Sequence, residues 1–212
     1  MDTSEKYLIH KSKRLVDILM SLTILFITLP FSITFLVLIK LEQILRGRPL
    51  DPFFYSETRM SYGQPFQIYK FNIFKHERVL ELRNKGELIH TKHFEKDGSI
   101  TKVGWILKQI YMDELPQFYN VLLGRMSVVG PRPVNCEVFE MLINDGVIDK
   151  TRVPAGITGN YQSYKNPAII RAGAADKQYA DYYHTHPGYK VILFDIRIML
   201  RTIKVILKAK GI

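Results

Sequence analysis

The chain has 212 residues, 47% of them apolar and 24% charged, which supplies one ordinary hydrophobic core and excludes an intrinsically disordered tract. Its formal charge of +10 predicts attraction to an acidic partner, which could be nucleic acid, an anionic membrane surface or a phosphorylated substrate. A single cysteine, Cys136, excludes an internal disulfide framework, fits a reducing compartment, and is expected to be buried as a small apolar side chain.

The first predicted element is apolar. From Ile18 to Ile39 run 22 residues without a formal charge, and as a helix they span about 33 Å, close to the hydrocarbon thickness of a bilayer. A secretory signal is the competing reading, but no small-residue cleavage site follows and the run exceeds an ordinary signal core, so the segment is expected to stay in the mature protein. Pro30, near its middle, removes the hydrogen bond to the Phe26 carbonyl and predicts a kink, with Thr28 or neighbouring groups able to absorb the freed carbonyl. Lys6, Lys11, Lys13 and Arg14 precede the run, and Lys40, Arg46 and Arg48 follow it. Cations on both sides fit a helix that dips into the bilayer and returns to the same face, while a single-pass anchor with a tolerated proline stays open. Asp17 is costly in lipid and is expected to pair with Lys13 or Arg14.

Next come two short β-like runs, Phe53 to Tyr55 and Phe66 to Phe71, punctuated by Pro49, Pro52, Gly63 and Pro65 and read as a hairpin. Residues 75 to 98 are charged, with a helix expected from Glu77 to Asn84. The segment Val147 to Asn166, with Pro154, Gly156 and Gly159, reads as loop and turn able to lie over a site. The expected fold class is α/β (α+β): a small mixed globular domain at 49–188, between a membrane-inserted segment at 1–48 and a basic amphipathic helix at 189–212. In that last helix Ile192, Leu193, Ile196, Met199, Leu200, Ile203, Ile206 and Leu207 fall on one face. Lys190, Arg197, Arg201, Lys204, Lys208 and Lys210 supply the cations, which suits a helix lying along lipid headgroups; a helix covering the core with a solvated basic face is the other reading. Asp195, an acid among these cations, is expected to form a structural ion pair.

The densest chemical signal is Tyr111 to Pro133. Asp113 and Glu114 precede Pro116, which a helix tolerates only in its first turn, so Asp113 is expected at the cap or first position of a helix running through Gln117, Tyr119 and Leu122 to Gly124. There the helix dipole would keep a carboxylate ionised and could receive a phosphate. Arg132, between Pro131 and Pro133, is rigidly presented and suits bidentate phosphate contact or stacking on a base, or a salt bridge that shapes the turn. Lys70, Arg59 and Lys108 are further candidate partners for phosphate or carboxylate.

Taken together, Asp113-Glu114-Leu115-Pro116-Gln117, Asn120-Val121, Met126 to Pro133 and Pro154 to Gly159 resemble the bacterial sugar transferase family, the monotopic phosphoglycosyl transferases that start cell-surface glycan assembly. Phe53 to Phe71 resembles the family's strand and turn, and Phe194-Asp195-Ile196 with Thr202 its closing helix. The resemblance implies a re-entrant N-terminal helix, a catalytic domain on the cytoplasmic face of the bacterial inner membrane, and a covalent mechanism. In it Asp113 attacks the β-phosphate of a nucleotide diphosphate sugar, expected to carry uridine, and polyprenyl phosphate then takes the sugar phosphate. It also implies that Glu114 holds Mg²⁺, that Gln162 and Lys165 join the substrate-binding residues, and that membrane lipids are partners. A homo-oligomer and downstream glycosyltransferases are further partners it admits.

Several positions depart from the family's habit. Leu29 replaces a Ser before the kink proline, Asn72 an Arg or Lys, and Lys108 an Arg; Asn160-Tyr161-Gln162 replaces Trp-Ala-Gln, with Lys165 as the nearby cation. These lie around the substrate end and bear on sugar identity. The rival from another class is a catalytically silent membrane scaffold, against which stand Asp113, Glu114 and Arg132. His184 and His186 lack companions for a zinc site and read as surface. No P-loop, GxGxxG or nucleic-acid motif occurs, so no nucleic-acid partner is expected.

Overall fold

The computed structural model describes residues 9–47, 50–76, 99–164 and 172–208; the expected helix from Glu77 to Asn84 lies outside them. The described residues cluster as two compact units. One gathers Met1–Ile24, Thr58–Ile68 and Gln117–Lys210, the other Leu25–Glu57 and Tyr69–Pro116. Helix α1 (Lys11–Leu45) runs unbroken through Pro30 and is long and apolar enough to cross a membrane. Almost none of its most apolar window is buried, and Phe26 is 79% exposed, so this is not the core helix of a water-soluble domain.

Strands β1 (Phe54–Ser61) and β2 (Gln64–Phe71) form a two-stranded sheet. They are joined by Tyr62 and Gly63, both at positive φ (51° and 71°), the two-residue turn whose twist matches that of a hairpin. The first strand is longer than its apolar residues predicted, because Ser56 to Ser61 continue it with polar side chains.

In the first unit β3 (Ser127–Val129) and β4 (Gly156–Thr158) pair in parallel, Ser127 opposite Gly156 and Val129 opposite Thr158. Parallel neighbours need a crossover, and α4 (Cys136–Asn144) and α5 (Asp149–Arg152) lie along it. In the expected loop at 147–166 the described residues, up to 164, are therefore structured: α5, β4 and then α6 (Asn160–Tyr164) occupy them. Short elements of three to five residues carry too little periodicity to register as helix or strand. A Cβ on Gly130 would sit 2.2 Å from the Pro154 carbonyl oxygen, one on Gly156 2.0 Å from the Gly130 nitrogen, and one on Gly159 2.2 Å from the Gly130 oxygen. These glycines are there because backbone packs on backbone.

Helices α7 (Ala172–Thr185) and α8 (Gly188–Lys208) complete this unit. Tyr179, Val191 and Ile198 are buried, whereas Leu193, Ile196, Leu200, Ile203 and Leu207 of α8 are exposed. The packed side of α8 is thus Val191, Asp195, Ile198 and Thr202, and the aliphatic stripe points away from the core with Arg197 and Lys204 exposed beside it. Cys136 is half-exposed at the start of α4, its sulfur 3.7 Å from that of Met60, in place of the burial expected for it; the first turn of an amphipathic helix does not close over its side chain.

The first turns of α1 enter this unit through charge. The Lys13 ammonium, 3% exposed, donates to Asp195 at 2.6 Å and to the Ser127 hydroxyl at 2.7 Å, and lies 3.5 Å from Asp17. Ser127 donates to Asp17 at 2.8 Å, and the Tyr179 hydroxyl donates to Asp195 at 2.9 Å. Burial pushes the Asp195 carboxyl above its usual value, with Lys13 and Tyr179 acting against it. Both sequence expectations, Asp17 with Lys13 and Asp195 in a structural pair, meet in this one network. Arg14 donates to the Val121 and Leu122 carbonyls at the end of α3 (Gln117–Leu122), adding to the Gly124 amide that Val121 already accepts.

In the second unit the far end of α1 has its own ties. Glu42 accepts from the Lys102 and Val103 amides at 3.2 and 3.1 Å, capping α2 (Lys102–Gln109) together with Thr101, whose hydroxyl accepts from Gly104. Gln43 donates to the Asp51 carboxylate, and Lys40 to the Asp51 carbonyl. Ile73, Phe74 and Leu107 are buried beneath α2, and Gly104 lets it approach, since a Cβ there would lie 2.6 Å from Ile73. Asn72 donates its side-chain amide to the Pro52 carbonyl and accepts from the Phe74 amide, closing the open end of the hairpin.

Lys13→Met leaves Asp17 and Asp195 buried without their cation. The expected cost is about 3–5 kcal/mol, read as a lowered unfolding midpoint of the lipid-reconstituted protein; an unchanged midpoint would mean the network carries no stability.

Candidate active site

The acidic pair lies on a single 3-10 turn, Met112–Glu114, and not at the head of the helix expected for it. Helix α3 begins at Gln117, after Pro116, so Asp113 stands upstream of it on the separate 3-10 turn. The reason is the backbone at Tyr111, at φ 57°, which breaks direction between α2 and the turn. Pro116 does mark the start of α3, and Gly124, at φ 77°, stops it as expected. Asp113 is buried and Glu114 half-buried.

Lys70, from the end of β2, reaches Glu114 at 3.5 Å and Glu57 of β1 at 4.0 Å. The alternation of β1 turns Tyr55, Glu57, Arg59 and Ser61 to one face, more covered than Phe54, Ser56 and Thr58. Arg59 therefore lies on the same strand face as Glu57. Lys108 is half-buried on the last turn of α2, and its carbonyl accepts from the Tyr111 amide at 3.2 Å, immediately before the acidic turn.

Glu114, Lys70, Asp113 and Lys108 thus belong to the second unit, while Arg59, Arg132 and Gln162 belong to the first. Arg132 is exposed. Around it the Pro131 carbonyl accepts from the Gly156 amide at 2.9 Å, the Arg132 carbonyl from the Lys150 ammonium at 3.0 Å, and the Val134 carbonyl from the Met60 amide at 2.9 Å. The Gln162 amide is buried with neither its oxygen nor its nitrogen bonded. Lys165 lies outside the described residues. Asn160, which stands where a Trp was the family's habit, is buried; it donates to Gln178 at 2.8 Å and accepts from Arg201 at 2.9 Å.

Residues that sequence reasoning missed are Glu57, Lys150 and Ser127. Glu57 had a readable signal, two positions along one strand face from Arg59; Lys150 and Ser127 had none, since their partners are distant in sequence. Among the described residues no group of three or more His, Cys, Asp or Glu side chains gathers to hold a metal. His184 donates its Nε2–H to the Arg152 carbonyl at 2.9 Å, and His186 stacks on Tyr182 at 3.9 Å. The carboxylates of Glu114 and Glu57, each within 4.0 Å of the Lys70 ammonium, are hard oxygen donors. They fit a Mg²⁺ ion, which takes one or two carboxylates and completes its shell with water and substrate phosphate.

A model of the bacterial sugar transferase family matches residues 8–209. Among similar proteins, the UDP-glucose:undecaprenyl-phosphate glucose-1-phosphate transferase of Escherichia coli (strain K12) is 34% identical over 151 residues, 69% of this chain and 30% of that protein. The uncharacterized sugar transferase EpsL of Bacillus subtilis (strain 168) is 30% identical over 203 residues, 94% of this chain and 89% of that one. The UDP-N-acetylgalactosamine-undecaprenyl-phosphate N-acetylgalactosaminephosphotransferase of Aeromonas hydrophila is 30% identical over 208 residues, 94% of this chain and 44% of that protein. The match to the first of these spans under a third of its length. With the family model matched from residue 8 to residue 209, across both ends of the fold and every motif described above, the chain belongs to the bacterial sugar transferase family.

Proposed function

We propose that this protein transfers a sugar-1-phosphate from a nucleotide diphosphate sugar to polyprenyl phosphate through an ester on Asp113. The observation that carries the reading is the acidic turn itself: a buried Asp113 next to a Glu114 that pairs with Lys70 at 3.5 Å. A carboxylate that attacks a diphosphate is repelled by it, so catalysis needs positive charge on the phosphates and a nucleophile stripped of water. An Asp113 oxygen bonds to the sugar-bearing β-phosphorus, and the bond from that phosphorus to the bridging oxygen breaks, releasing nucleoside monophosphate. An oxygen of polyprenyl phosphate then attacks the same phosphorus, the aspartyl oxygen leaves, and the carboxylate is restored. Glu114 and Glu57 would hold Mg²⁺, which when bound neutralises diphosphate charge. Lys70 positions Glu114, and Lys108, Arg59 and Arg132 are the cations offered to phosphate or base, Arg132 with the fork that suits either. Gln162 offers a free amide to substrate, and Lys165 is retained as a candidate cation. The names of the relatives make UDP-glucose and UDP-N-acetylgalactosamine the first donors to try.

The membrane arrangement follows from surfaces that water would penalise. The exposed apolar window of α1, the outward stripe of α8, and Trp105, Ile106 and Ile110 on α2 are best covered by lipid. We read α1 as re-entrant. Its Lys13 end is tied to Ser127 and Asp195 and its Glu42 end to the head of α2. Lys11, Lys13 and Arg14 before the apolar run and Lys40 and Arg46 after it support a helix with both ends at the cytoplasmic face, where nucleotide sugars are available, with the globular residues as the catalytic domain and 189–212 along the headgroups.

Three tests follow. Incubated with Mg²⁺ and UDP-glucose or UDP-N-acetylgalactosamine, the wild type should release UMP without acceptor and carry the sugar phosphate on one residue. Asp113→Asn should abolish that adduct with the fold intact by circular dichroism, and a persisting adduct removes Asp113 from the role. With Ile9→Cys in a Cys136→Ser background, a membrane-impermeant thiol reagent should label only from the cytoplasmic side, and adding Pro30→Ala should shift a fraction of chains to a spanning helix. Labelling identical with and without the proline would refute its part in turning the helix. Trp105 is the chain's single tryptophan and is 58% exposed, so its fluorescence should be quenched by lipids brominated near the headgroups; emission unaffected by such lipids would put α2 in water.

A further inference from the structure

Between Gly130 and Val134 the chain has two prolines, which offer no amide to hold the Arg132 backbone in place. Three carbonyls along this turn are held from outside it. Those of Pro131 and Val134 are held by backbone amides, of Gly156 and Met60. The Arg132 carbonyl is held by a side chain, the Lys150 ammonium at 3.0 Å, from α5 in the crossover between β3 and β4. That ammonium is itself fixed by Asp176 of α7 at 2.7 Å, with the two side chains 15% and 9% exposed. Burial raises the Asp176 carboxyl from its usual range, and the Lys150 charge acts against that rise.

We propose that Lys150, anchored by Asp176, is a positioning residue that aims Arg132 at the donor's diphosphate or base. The inference rests on the donor-binding role given to Arg132 above. Lys150 is not itself a phosphate ligand: one of its protons goes to Asp176 and another to a backbone carbonyl, and its charge is met within the fold. Asp176 makes the arrangement specific. An ammonium on a flexible four-carbon stem has no preferred place, and a partly buried carboxylate gives it one. A shift of Arg132 of even an ångström would act on donor affinity more than on chemistry at Asp113, because the contacts of Lys150 are with Arg132 and Asp176 and not with the acidic turn.

The test uses the full chain in lipid nanodiscs, with UDP as the binding probe in titration calorimetry and UMP release as the activity. K150M is expected to raise the UDP Kd and the donor KM about tenfold while kcat changes less than about twofold. K150R, which can reach both partners, should stay within about threefold of wild type, and D176N should raise Kd in the same direction as K150M. R132A should match K150M, and the R132A/K150M double variant should be no worse than R132A alone, since two residues acting through one contact do not add. Losses that multiply in the double variant overturn the proposal, as does an unaltered Kd in both K150M and D176N, or a K150M defect in kcat alone. An R132A variant with wild-type Kd and KM instead removes Arg132 from donor binding while leaving Asp113 chemistry standing. Failure of the wild type to bind UDP or release UMP fails the functional reading, and this inference with it.

Discussion

An ammonium with no water around it must be surrounded by oxygen, and Lys13 is surrounded by Asp17, Asp195 and Ser127. The rest of the first unit is arranged so that this can be true. Asp195 has to come from the packed side of α8, Ser127 from the first residue of β3, and Tyr179 from α7 has to bring a hydroxyl to the second oxygen of Asp195. The Asp17 carboxylate also accepts from the Val128 amide at 3.2 Å, so the network reaches the backbone of the strand that leads into the Pro131-Arg132-Pro133 turn. Burying these charges costs several kcal/mol per ion, and the interaction recovers that cost only with its hydrogen bonds complete. The network therefore fixes which residues of α1, α7, α8 and β3 meet more than it adds stability.

Downstream of that constraint, backbone packing sets the substrate end. Gly130, Gly156 and Gly159 let β3 and β4 approach to distances that a Cβ would forbid. The chain leaving β3 then turns through Pro131 with its carbonyls held from β4, β1 and α5. The motif glycines serve this approach. The acidic turn is held by separate means: α2 is capped at its head by Glu42 and Thr101, and its tail passes through a left-handed Tyr111 into Met112–Glu114.

The sequence made α1, the hairpin, the end of α3 at Gly124 and the two-sided α8 legible, because each has a local signal: an uncharged run, Gly63 in a turn, a glycine stop, an aliphatic period. What it hid has a common cause. Covered faces that carry charge, such as Glu57 and Arg59 on β1, erase the apolar alternation by which a strand is recognised, so β1 read as three residues. The elements between 147 and 164 are too short for periodicity. Asp113 read as a helix cap because Pro116 fixed the start of α3, but the left-handed Tyr111 leaves no mark in composition. Lys150 and Ser127 were invisible for a different reason, as their partners are set by tertiary distance alone. Asn72 and Asn160 looked like departures at the substrate end, yet both have their amides engaged within the fold, with Pro52 and Phe74 in one case and Gln178 and Arg201 in the other.

The pairing of Lys13 with Asp195 joins residues 182 positions apart, one in α1 and the other in α8. At ordinary rates of synthesis roughly 10–35 s separate the emergence of the two from the ribosome. During that interval Lys13 has Asp17, four residues along its own helix, as its ionic partner, and the second carboxylate is still to come. The cluster that fixes the register of α1, α7, α8 and β3 is therefore completed only when α8 arrives, long after α1 itself has formed.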